Sequence, residues 1–320
     1  MSKYLITGGC GFIGSHLADA LVARGHTVCI LDDLSTGKRE NAPASASLII
    51  GDVADAALVR SAMSSVDGCF HLAAIASVQR SVEDWLGAHR TNLTGAISVF
   101  DAAHQKADRP VPVVYASSAA VYGDNPNTPL AETAERRPLS AYGADKLGCE
   151  LHASVAWNVH RVPTFGMRFF NVYGPRQDPS SPYSGVISIF ANRIAGRQPI
   201  TIFGDGQQVR DFVFVADVVA HLIAAMEHCQ AGAEVLNVCT GKSTSVSQLA
   251  LAMGNLIGGR PEISYAPART GDIKSSIGNP GRATQILGVA ANHSLVDGLR
   301  VTLDSQTPHQ RHLQVGGLRK

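Results

Sequence analysis

Segments of consecutive apolar residues alternate with segments of helical spacing through the first two-thirds of the chain. The apolar segments predict strands at residues 4–6, 27–31, 47–50, 68–72, 111–116 and 162–169. Helices are expected at 15–24 and at about 92–104, and another begins near Tyr142. Because these strands are apolar throughout, both faces of their sheet should be covered by helices. The pattern predicts an α/β fold class with right-handed crossovers and a doubly wound parallel sheet.

The composition changes after Asn171, where residues 174–183 are rich in proline and turn-forming residues. Shorter elements follow, with helices predicted at 187–194, 216–228 and 245–256 and strands at 201–203 and 234–238. We therefore predict a large domain over residues 1–170, which about 210–240 rejoin, and a smaller domain that is mainly 171–304. Residues 305–320 are polar with little periodicity, as expected of a flexible tail.

Composition narrows the class of protein. The chain has 27 Lys and Arg against 26 Asp and Glu, so its formal charge of +1 gives no field that favours nucleic acid or an anionic membrane. Apolar residues make up 45% and charged ones 17%, which favours a sizeable core over disorder. No transmembrane stretch or signal peptide is evident, so we expect a cytoplasmic protein. Six dispersed cysteines without a CxxC pair argue against zinc and disulfide frameworks, and no metal is expected.

A glycine-rich turn joins the first predicted strand to the first helix. Its sequence, Thr7-Gly-Gly-Cys-Gly-Phe-Ile-Gly14, contains both G-x-G-x-x-G and G-x-x-G-x-x-G spacing. Such glycines let the backbone approach a pyrophosphate, and the helix N-terminus supplies free N–H groups. The second strand ends in Asp32-Asp33, where a carboxylate binds the adenosine ribose and favours NAD over NADP. Two basic residues nearby, Lys38 and Arg39, keep NADP open as an alternative.

Tyr142 and Lys146 lie four residues apart and therefore face the same side of a predicted helix. A phenol titrates at about pH 10 in water, and a neighbouring ammonium stabilises its phenolate, as oxidised nicotinamide would. The pair is therefore a candidate general base with its electrostatic partner. Upstream, at the end of the fifth strand, Ser118 is a candidate to hydrogen-bond a substrate hydroxyl, and Ser117 is as readily explained by a strand-end turn.

Several further motifs accompany this pair and the glycine turn. They are His71-Leu-Ala-Ala74, Asn92-Leu-Thr-Gly95, Ser117-Ser-Ala-Ala-Val-Tyr-Gly123, Arg168-Phe-Phe-Asn-Val-Tyr-Gly-Pro175, Gly204-Asp-Gly-x-x-x-Arg210-Asp-Phe-Val and Arg269-Thr-Gly-Asp272. Over roughly residues 3–300 the chain resembles the extended short-chain dehydrogenase/reductase superfamily, and within it nucleotide-sugar epimerases of the UDP-hexose 4-epimerase type. The resemblance implies tightly held NAD, a Rossmann domain of about seven parallel strands and a smaller domain that closes over a UDP-sugar. It also implies a homodimer through a helix bundle that includes the Tyr142 helix.

The resemblance assigns roles to individual residues. Tyr142 resembles the base, Lys146 the residue that tunes it and binds the nicotinamide ribose, and Ser118 the group that orients the sugar hydroxyl. The residues expected to bind NAD are Gly8, Gly11, Phe12, Ile13, Gly14, Asp32, Asp33, Ser35, Thr36, Gly37, Asp52, Val53, Leu72, Ala73, Ala74, Asn92, Tyr142, Lys146 and Phe169. Those expected to bind the substrate are Ser118, Asn171, Val186, Thr201, Phe203, Arg210, Arg269, Asp272 and Ser276.

Within the substrate set the resemblance implies different contacts. Asn171 corresponds to a contact with the diphosphate sugar, and Val186, Thr201 and Phe203 fall where such enzymes hold the uracil. Arg210 and Arg269 correspond to arginines that bind the diphosphate, for which a planar guanidinium is suited. Asp272 corresponds to a contact with the nucleoside ribose.

Particular positions narrow the reaction that the resemblance implies. Sugar 4,6-dehydratases carry an Asp-Glu pair where this chain has Ala119-Ala120, so no acid is available there to eliminate water. Uronate epimerases often have Gly-Pro-Trp-Gly where this chain has Gly174-Pro-Arg-Gln. Ser276 stands where epimerases restricted to plain hexoses usually carry a tyrosine, and its small size implies room for an N-acetyl group at C2 of the sugar.

The resemblance thus implies NAD-dependent 4-epimerisation of a UDP-hexose through a transient 4-keto sugar, with UDP-Glc/UDP-Gal and UDP-GlcNAc/UDP-GalNAc as substrates. One alternative is another epimerase or reductase of nucleotide sugars that acts on a UDP-uronate or a dTDP-sugar. A non-catalytic NAD-binding regulator is a further alternative. The presence of both Tyr142 and Lys146 disfavours it, since such relatives usually lose one of the two.

Overall fold

The computed structural model describes residues 1–105, 109–178, 185–259, 261–268 and 273–306. Its strands are β1 Lys3–Thr7, β2 Thr27–Asp32, β3 Ser47–Ile50, β4 Gly68–His71, β5 Val113–Ser118, β6 Thr164–Phe169, β7 Asn171–Tyr173, β8 Ile200–Phe203, β9 Val209–Arg210, β10 Phe212–Phe214, β11 Ala233–Val238, β12 Thr244–Ser245, β13 Ile263–Ala266 and β14 Ser275–Ser276. Its helices are α1 Phe12–Ala23, α2 Ala56–Met63, α3 Val78–Glu83, α4 Trp85–His89, α5 Gly95–His104, α6 Ala141–His160, α7 Val186–Ala195, α8 Val215–His228, α9 Val246–Leu256, α10 Gly281–Leu287 and α11 Leu295–Gln306. Short 3₁₀ helices cover Arg39–Asn41 and Ala119–Tyr122, and a π-helical turn covers Arg90–Thr94.

Seven parallel strands form the central sheet, in the order β11-β6-β5-β4-β1-β2-β3. The chain runs outward from β1 through β2 to β3 and then returns to β4 on the other side of β1. The strand order therefore reverses between β1 and β4, and ligands of such sheets bind beside the carboxyl ends at this point. The predicted doubly wound α/β fold is confirmed.

Helices cover both faces of this sheet, as the unbroken apolar strands predict. On one face Leu17 of α1 and Leu222 of α8 pack in a cluster with Ile30 of β2, and all three are fully buried. On the other face α2, α5 and α6 enclose a second cluster that includes Val99 and Tyr115. Burial on both faces fixes the ends of β1, β4, β5 and β6, which carry the candidate site.

A smaller cluster of elements, here called the C-terminal lobe, comprises α7, β8, α9, β13 and α11. Its core contains Ile187, Phe190, Ile202, Leu249 and Leu299. Strand β8 pairs in parallel with β13, and the two-residue strands β12, β9 and β14 form a separate ribbon. Strand β11 returns to the edge of the central sheet and pairs with β6.

The predicted elements and the observed ones differ at several boundaries. Strand β5 begins at Val113 because Pro112 has no N–H to offer a neighbouring strand, so the prediction of residues 111–116 is two residues early. The helix predicted from about Asn92 begins earlier, at Trp85, where the Asp84 side chain caps α4 and the π-helical turn continues it into α5. Helix α11 extends to Gln306, into the predicted tail, and residues 307–320 lie outside the described residues.

None of the helices in the described part of the chain is both long enough and apolar enough to span a bilayer.

Candidate functional site

The glycine turn between β1 and α1 lies at the reversal point of the sheet. Gly8 has φ +71, and a Cβ there would lie 2.7 Å from the nitrogen of Ala73, two residues after β4. A Cβ on Gly14 would lie 2.2 Å from the Gly8 carbonyl oxygen. Gly11 precedes α1, whose N-terminus has no side-chain cap, so its N–H groups are available to an anion. The backbone therefore has the form that a pyrophosphate requires.

Asp32 stands at the carboxyl end of β2, beside this turn. One oxygen of its buried carboxylate accepts from the Cys10 N–H at 2.9 Å and the other from the Leu34 N–H at 2.9 Å. Burial raises its pKa, and these two backbone bonds act in the opposite direction. Asp32 therefore holds the glycine turn as well as facing the cleft, and each oxygen keeps a lone pair for a ribose hydroxyl.

An open cleft of about 690 Å³ runs along the carboxyl ends of the strands from the glycine turn to Gly185. Most of the residues predicted to bind NAD or the reacting sugar line it. They are Gly8, Gly11, Phe12, Ile13, Gly14, Asp32, Asp33, Ser35, Thr36, Val53, Leu72, Ala73, Ala74, Ser118, Tyr142, Lys146, Phe169 and Asn171.

Three residues predicted to bind NAD do not line the cleft. Gly37 packs against Asp32, since a Cβ there would lie 2.9 Å from its Oδ1. Asp52 forms an ion pair with Arg90 at 3.0 Å. Asn92 is fully buried, and its side chain binds the backbone N–H and carbonyl of Ile75. Asn92 thus shapes the segment after β4 without reaching the cleft itself.

Tyr142 and Lys146 lie on the face of α6 that meets the cleft. The Lys146 Nζ is 5.9 Å from the centroid of the Tyr142 ring and donates to the Ala116 carbonyl at 2.9 Å. Lys146 is 1% exposed, so its charge acts where water screens it poorly. Ser118 ends β5 on the same cleft, and its Oγ accepts from the Ala120 N–H at 3.1 Å. The strand end and the helix thus present a hydroxyl, a phenol and an ammonium to one space.

A buried histidine lies behind this constellation. His71, at the end of β4, is 2% exposed, and its Nδ1 lies 2.8 Å from the Thr7 Oγ1. Its Nε2 has no partner among the residues that the structure describes. Burial, together with the nearby Lys146 ammonium, lowers the pKa of His71 to about 3. The imidazole is therefore neutral at physiological pH.

Of the residues predicted to hold the nucleotide of the substrate, those that the structure describes do not line the open cleft. Val186 begins α7, and Thr201 and Phe203 are on β8. Arg210 on β9 pairs in register with Ser276 on β14, and Ser276 is 6% exposed. Arg269 and Asp272 lie outside the described residues.

Other residues of the cleft were not predicted from the sequence. Ile75, Ser77, Arg80 and Thr91 line the cleft from the segment that follows β4. The motif His71-Leu-Ala-Ala74 directly precedes them and could have pointed to this segment. Its helices are short and are positioned by tertiary contacts, which the sequence does not show. One such contact is the Tyr142 N–H, which donates to the Ser81 Oγ at 3.1 Å.

Together, the parallel sheet, the glycine turn at its reversal point and the Tyr–Lys pair define a Rossmann-fold enzyme that uses a dinucleotide. Residues 4–239 match the NAD dependent epimerase/dehydratase family. The chain belongs to this family, and NAD is its cofactor. The residues of the cleft fit that cofactor, because a side chain in place of Gly8 or Gly14 would fill the turn that the pyrophosphate needs.

Individual relatives are similar over nearly the whole chain. A UDP-glucose 4-epimerase of Mycolicibacterium smegmatis is 36% identical over 308 residues, which cover 94% of this chain and 97% of the relative. A Thermotoga maritima UDP-glucose 4-epimerase solved with UDP-glucose superposes with a TM-score of 0.90 at 35% identity, covering 95% of this chain and 98% of that one. A UDP-N-acetylglucosamine 4-epimerase of Methanobrevibacter ruminantium, in complex with UDP-N-acetylmuramic acid, gives a TM-score of 0.90 at 34% identity, with 95% and 97% covered.

Proposed function

We propose that the protein is a UDP-sugar 4-epimerase that interconverts UDP-Glc with UDP-Gal and UDP-GlcNAc with UDP-GalNAc. The observation that carries the proposal is the placement of Tyr142, Lys146 and Ser118 on one cleft with the glycine turn. The similarity to epimerases of both sugar classes supports it.

Tyr142 is the proposed base. Its phenolate takes the proton from the 4-hydroxyl of the sugar and later returns a proton to the same oxygen. The Lys146 Nζ lies 5.9 Å from the centre of the Tyr142 ring, close enough for its charge to act on the base during proton transfer. The Ser118 hydroxyl holds the 4-oxygen in line with the base. Bound NAD would supply the acceptor for the hydride that leaves C4 of the sugar and, in its reduced form, the donor that returns the hydride to that carbon.

Inversion requires the sugar to turn while the nucleotide stays bound. We expect Arg210, Arg269 and Asp272 to hold the diphosphate and ribose, with Val186, Thr201 and Phe203 around the uracil. The sugar itself is held weakly, so a 4-keto intermediate can present its other face. Residues 176–178 and Gly185 border the cleft, and we expect these residues to help exclude water from it.

The first test is to incubate the protein separately with UDP-Glc, UDP-GlcNAc and UDP-GlcA and to separate the products by chromatography. We expect the 4-epimers of UDP-Glc and UDP-GlcNAc to form without net accumulation of NADH. Epimerisation of UDP-GlcA alone would favour a uronate epimerase, and net formation or consumption of NADH would favour a dehydrogenase or reductase.

The matched variant is Tyr142→Phe, which removes only the phenolic oxygen. We expect kcat to fall by about 10²–10⁴-fold, the usual contribution of a general base, while bound NAD is retained. A Tyr142→Phe protein with full turnover would contradict the proposed mechanism.

A further inference from the structure

A buried ion pair lies behind the cleft, and neither of its residues lines it. Glu150 on α6 and Arg168 on β6 have side chains that are 3% and 2% exposed. The Arg168 Nε donates to Glu150 Oε1 at 2.8 Å, and its Nη2 donates to Oε2 at 2.7 Å. The Ser117 hydroxyl donates to Glu150 Oε1 at 2.6 Å. Three elements of the central domain therefore meet at one carboxylate.

Each of these three elements also carries a residue of the candidate site. Glu150 is one helical turn beyond Lys146 on α6. Ser117 directly precedes Ser118 on β5, and Arg168 directly precedes a cleft residue on β6. The ion pair thus joins the helix of the proposed base to the strand end of the proposed sugar-orienting hydroxyl.

Arg168 is also bound on its other side, so its guanidinium cannot rotate freely. Its Nη1 donates to the Tyr122 hydroxyl at 2.7 Å and to the Glu132 carbonyl at 3.0 Å. Tyr122 in turn donates to the Asn237 Oδ1 at 2.7 Å, and the Asn237 N–H donates to the Glu132 Oε1 at 2.8 Å. A closed set of hydrogen bonds therefore fixes the plane of the guanidinium.

Burying two charges is costly, and well-packed apolar residues are often as stable in their place. A bidentate ion pair whose groups are all hydrogen-bonded can instead fix the relative position of the elements that carry it. Because these bonds lie in a poorly screened interior, any shift of α6 along β5 weakens several of them at once. We propose that Glu150 and Arg168 are positioning residues that keep the Tyr142–Lys146 face of α6 in register with Ser118. The proposal rests on the proposed function, since the geometry that it protects is that of proton transfer.

The test compares Arg168→Lys and Glu150→Gln with Arg282→Lys. Arg282 forms an ion pair with Glu234 between α10 and β11, with both side chains 40% exposed, and it lies outside the cleft. For each holoenzyme, kcat and KM for UDP-Glc are measured with the melting temperature and amide hydrogen exchange. We expect kcat of Arg168→Lys and Glu150→Gln to fall by about 10–100-fold at nearly unchanged KM, as small misplacements of reacting groups do.

Hydrogen exchange provides a readout that does not depend on turnover. In these two variants we expect exchange to accelerate about tenfold in residues 116–118 and 142–150 and to stay unchanged in α1, because only local openings become easier. Arg282→Lys should leave kcat and these segments unchanged. The proposal would be overturned if Arg168→Lys and Glu150→Gln kept kcat within twofold of wild type or showed only a raised KM. An equal acceleration of hydrogen exchange along the whole chain would also overturn it.

Tyr122→Phe keeps the proposal testable if the charge variants fail to fold. It removes one hydroxyl partner of Arg168 and should lower kcat by about 3–10-fold, the loss of one hydrogen bond. An unchanged kcat and an unchanged exchange pattern in Tyr122→Phe would count against the proposal. A wild-type protein that turns over no UDP-sugar would contradict the proposed function, whereas the exchange pattern would still decide the role of Glu150 and Arg168.

Discussion

Lys146 is almost fully buried, so water screens little of the effect of its ammonium group on Tyr142. Its four-residue spacing from Tyr142 is visible in the sequence and predicts that both face one side of α6. Its bond to the Ala116 carbonyl was not predictable, because it depends on how α6 lies across β5. The carboxylate of Asp32 is similar: its place at the end of β2 was predicted, but its backbone bonds to the glycine turn were not.

His71 leads to a prediction about stability and pH. Its pKa of about 3 in the folded chain lies below the value of about 6.5 expected when unfolded. The unfolded chain therefore binds an extra proton between pH 6.5 and 3, and the free energy of unfolding falls by up to about 1.4 kcal/mol per pH unit as the pH decreases through that window. Above pH 6.5 this contribution is constant.

The check is to measure urea unfolding from pH 7 to pH 4.5 for wild type and His71→Asn. Because burial also lowers the pKa of the half-buried His16 and of the buried His221, the variant should lose part of the pH dependence and keep the rest. Replacing the exposed His152 by Asn should leave the wild-type slope. An identical slope in His71→Asn and wild type would contradict the burial argument.

Ser276 leads to a prediction about the substrate. The resemblance gives this position the role of admitting an N-acetyl group, and Ser276 is buried on β14, where it pairs in register with Arg210. We expect Ser276→Tyr to lower kcat/KM for UDP-GlcNAc by at least about tenfold, since added volume in a closed site is poorly tolerated. Turnover of UDP-Glc by the same variant is the control, and an equal loss with both sugars would contradict the prediction.

At the scale of elements, buried apolar segments of four or more residues were predictable, and two-residue strands and exposed helices were not. The strand at 47–50 and the helices at 187–194 and 216–228 agree with β3, α7 and α8 to within one residue at each end. The two-residue strands β9, β12 and β14 were missed because they form through pairing between distant segments, for which two residues give no periodicity. Helices α3 and α4 were missed because their apolar residues are largely exposed.

The junction between the glycine turn and α1 leads to a prediction at this scale. In Gly14→Ala the new methyl would lie 2.2 Å from a backbone oxygen that cannot move without opening the turn. We expect a loss of about 1–3 kcal/mol in the free energy of unfolding and a marked loss of bound NAD after gel filtration, measured by absorbance. Gly259→Ala, where a Cβ meets open space, is the control. Full NAD content in Gly14→Ala would contradict the assignment of the turn.

At the scale of the whole molecule, α6 and α5 expose a row of apolar side chains on the surface. On α6, Leu151, Val155 and Val159 follow at four-residue spacing and are 56%, 51% and 65% exposed, and Ile97 on the neighbouring α5 is 37% exposed. A contiguous exposed apolar face is typical of an interaction site. We propose a second copy of the chain as its partner, in line with the helix-bundle homodimer that the resemblance implies. A two-fold axis would then bring the same face of both copies together.

Val155→Glu tests this assembly by placing a charge at the centre of the proposed interface. Burial of an unpaired carboxylate on each copy should weaken association by at least about 100-fold, so light scattering should give about 33.7 kDa in place of about twice that mass. The control is Val301→Glu, at a position 47% exposed on α11 in the C-terminal lobe, which should leave the dimer intact. A monomeric wild type, or a Val155→Glu protein that stays dimeric, would contradict the α5–α6 interface. Because α6 also carries Tyr142 and Lys146, a dimer built on this face would hold the reactive helix of each copy from the side opposite its cleft.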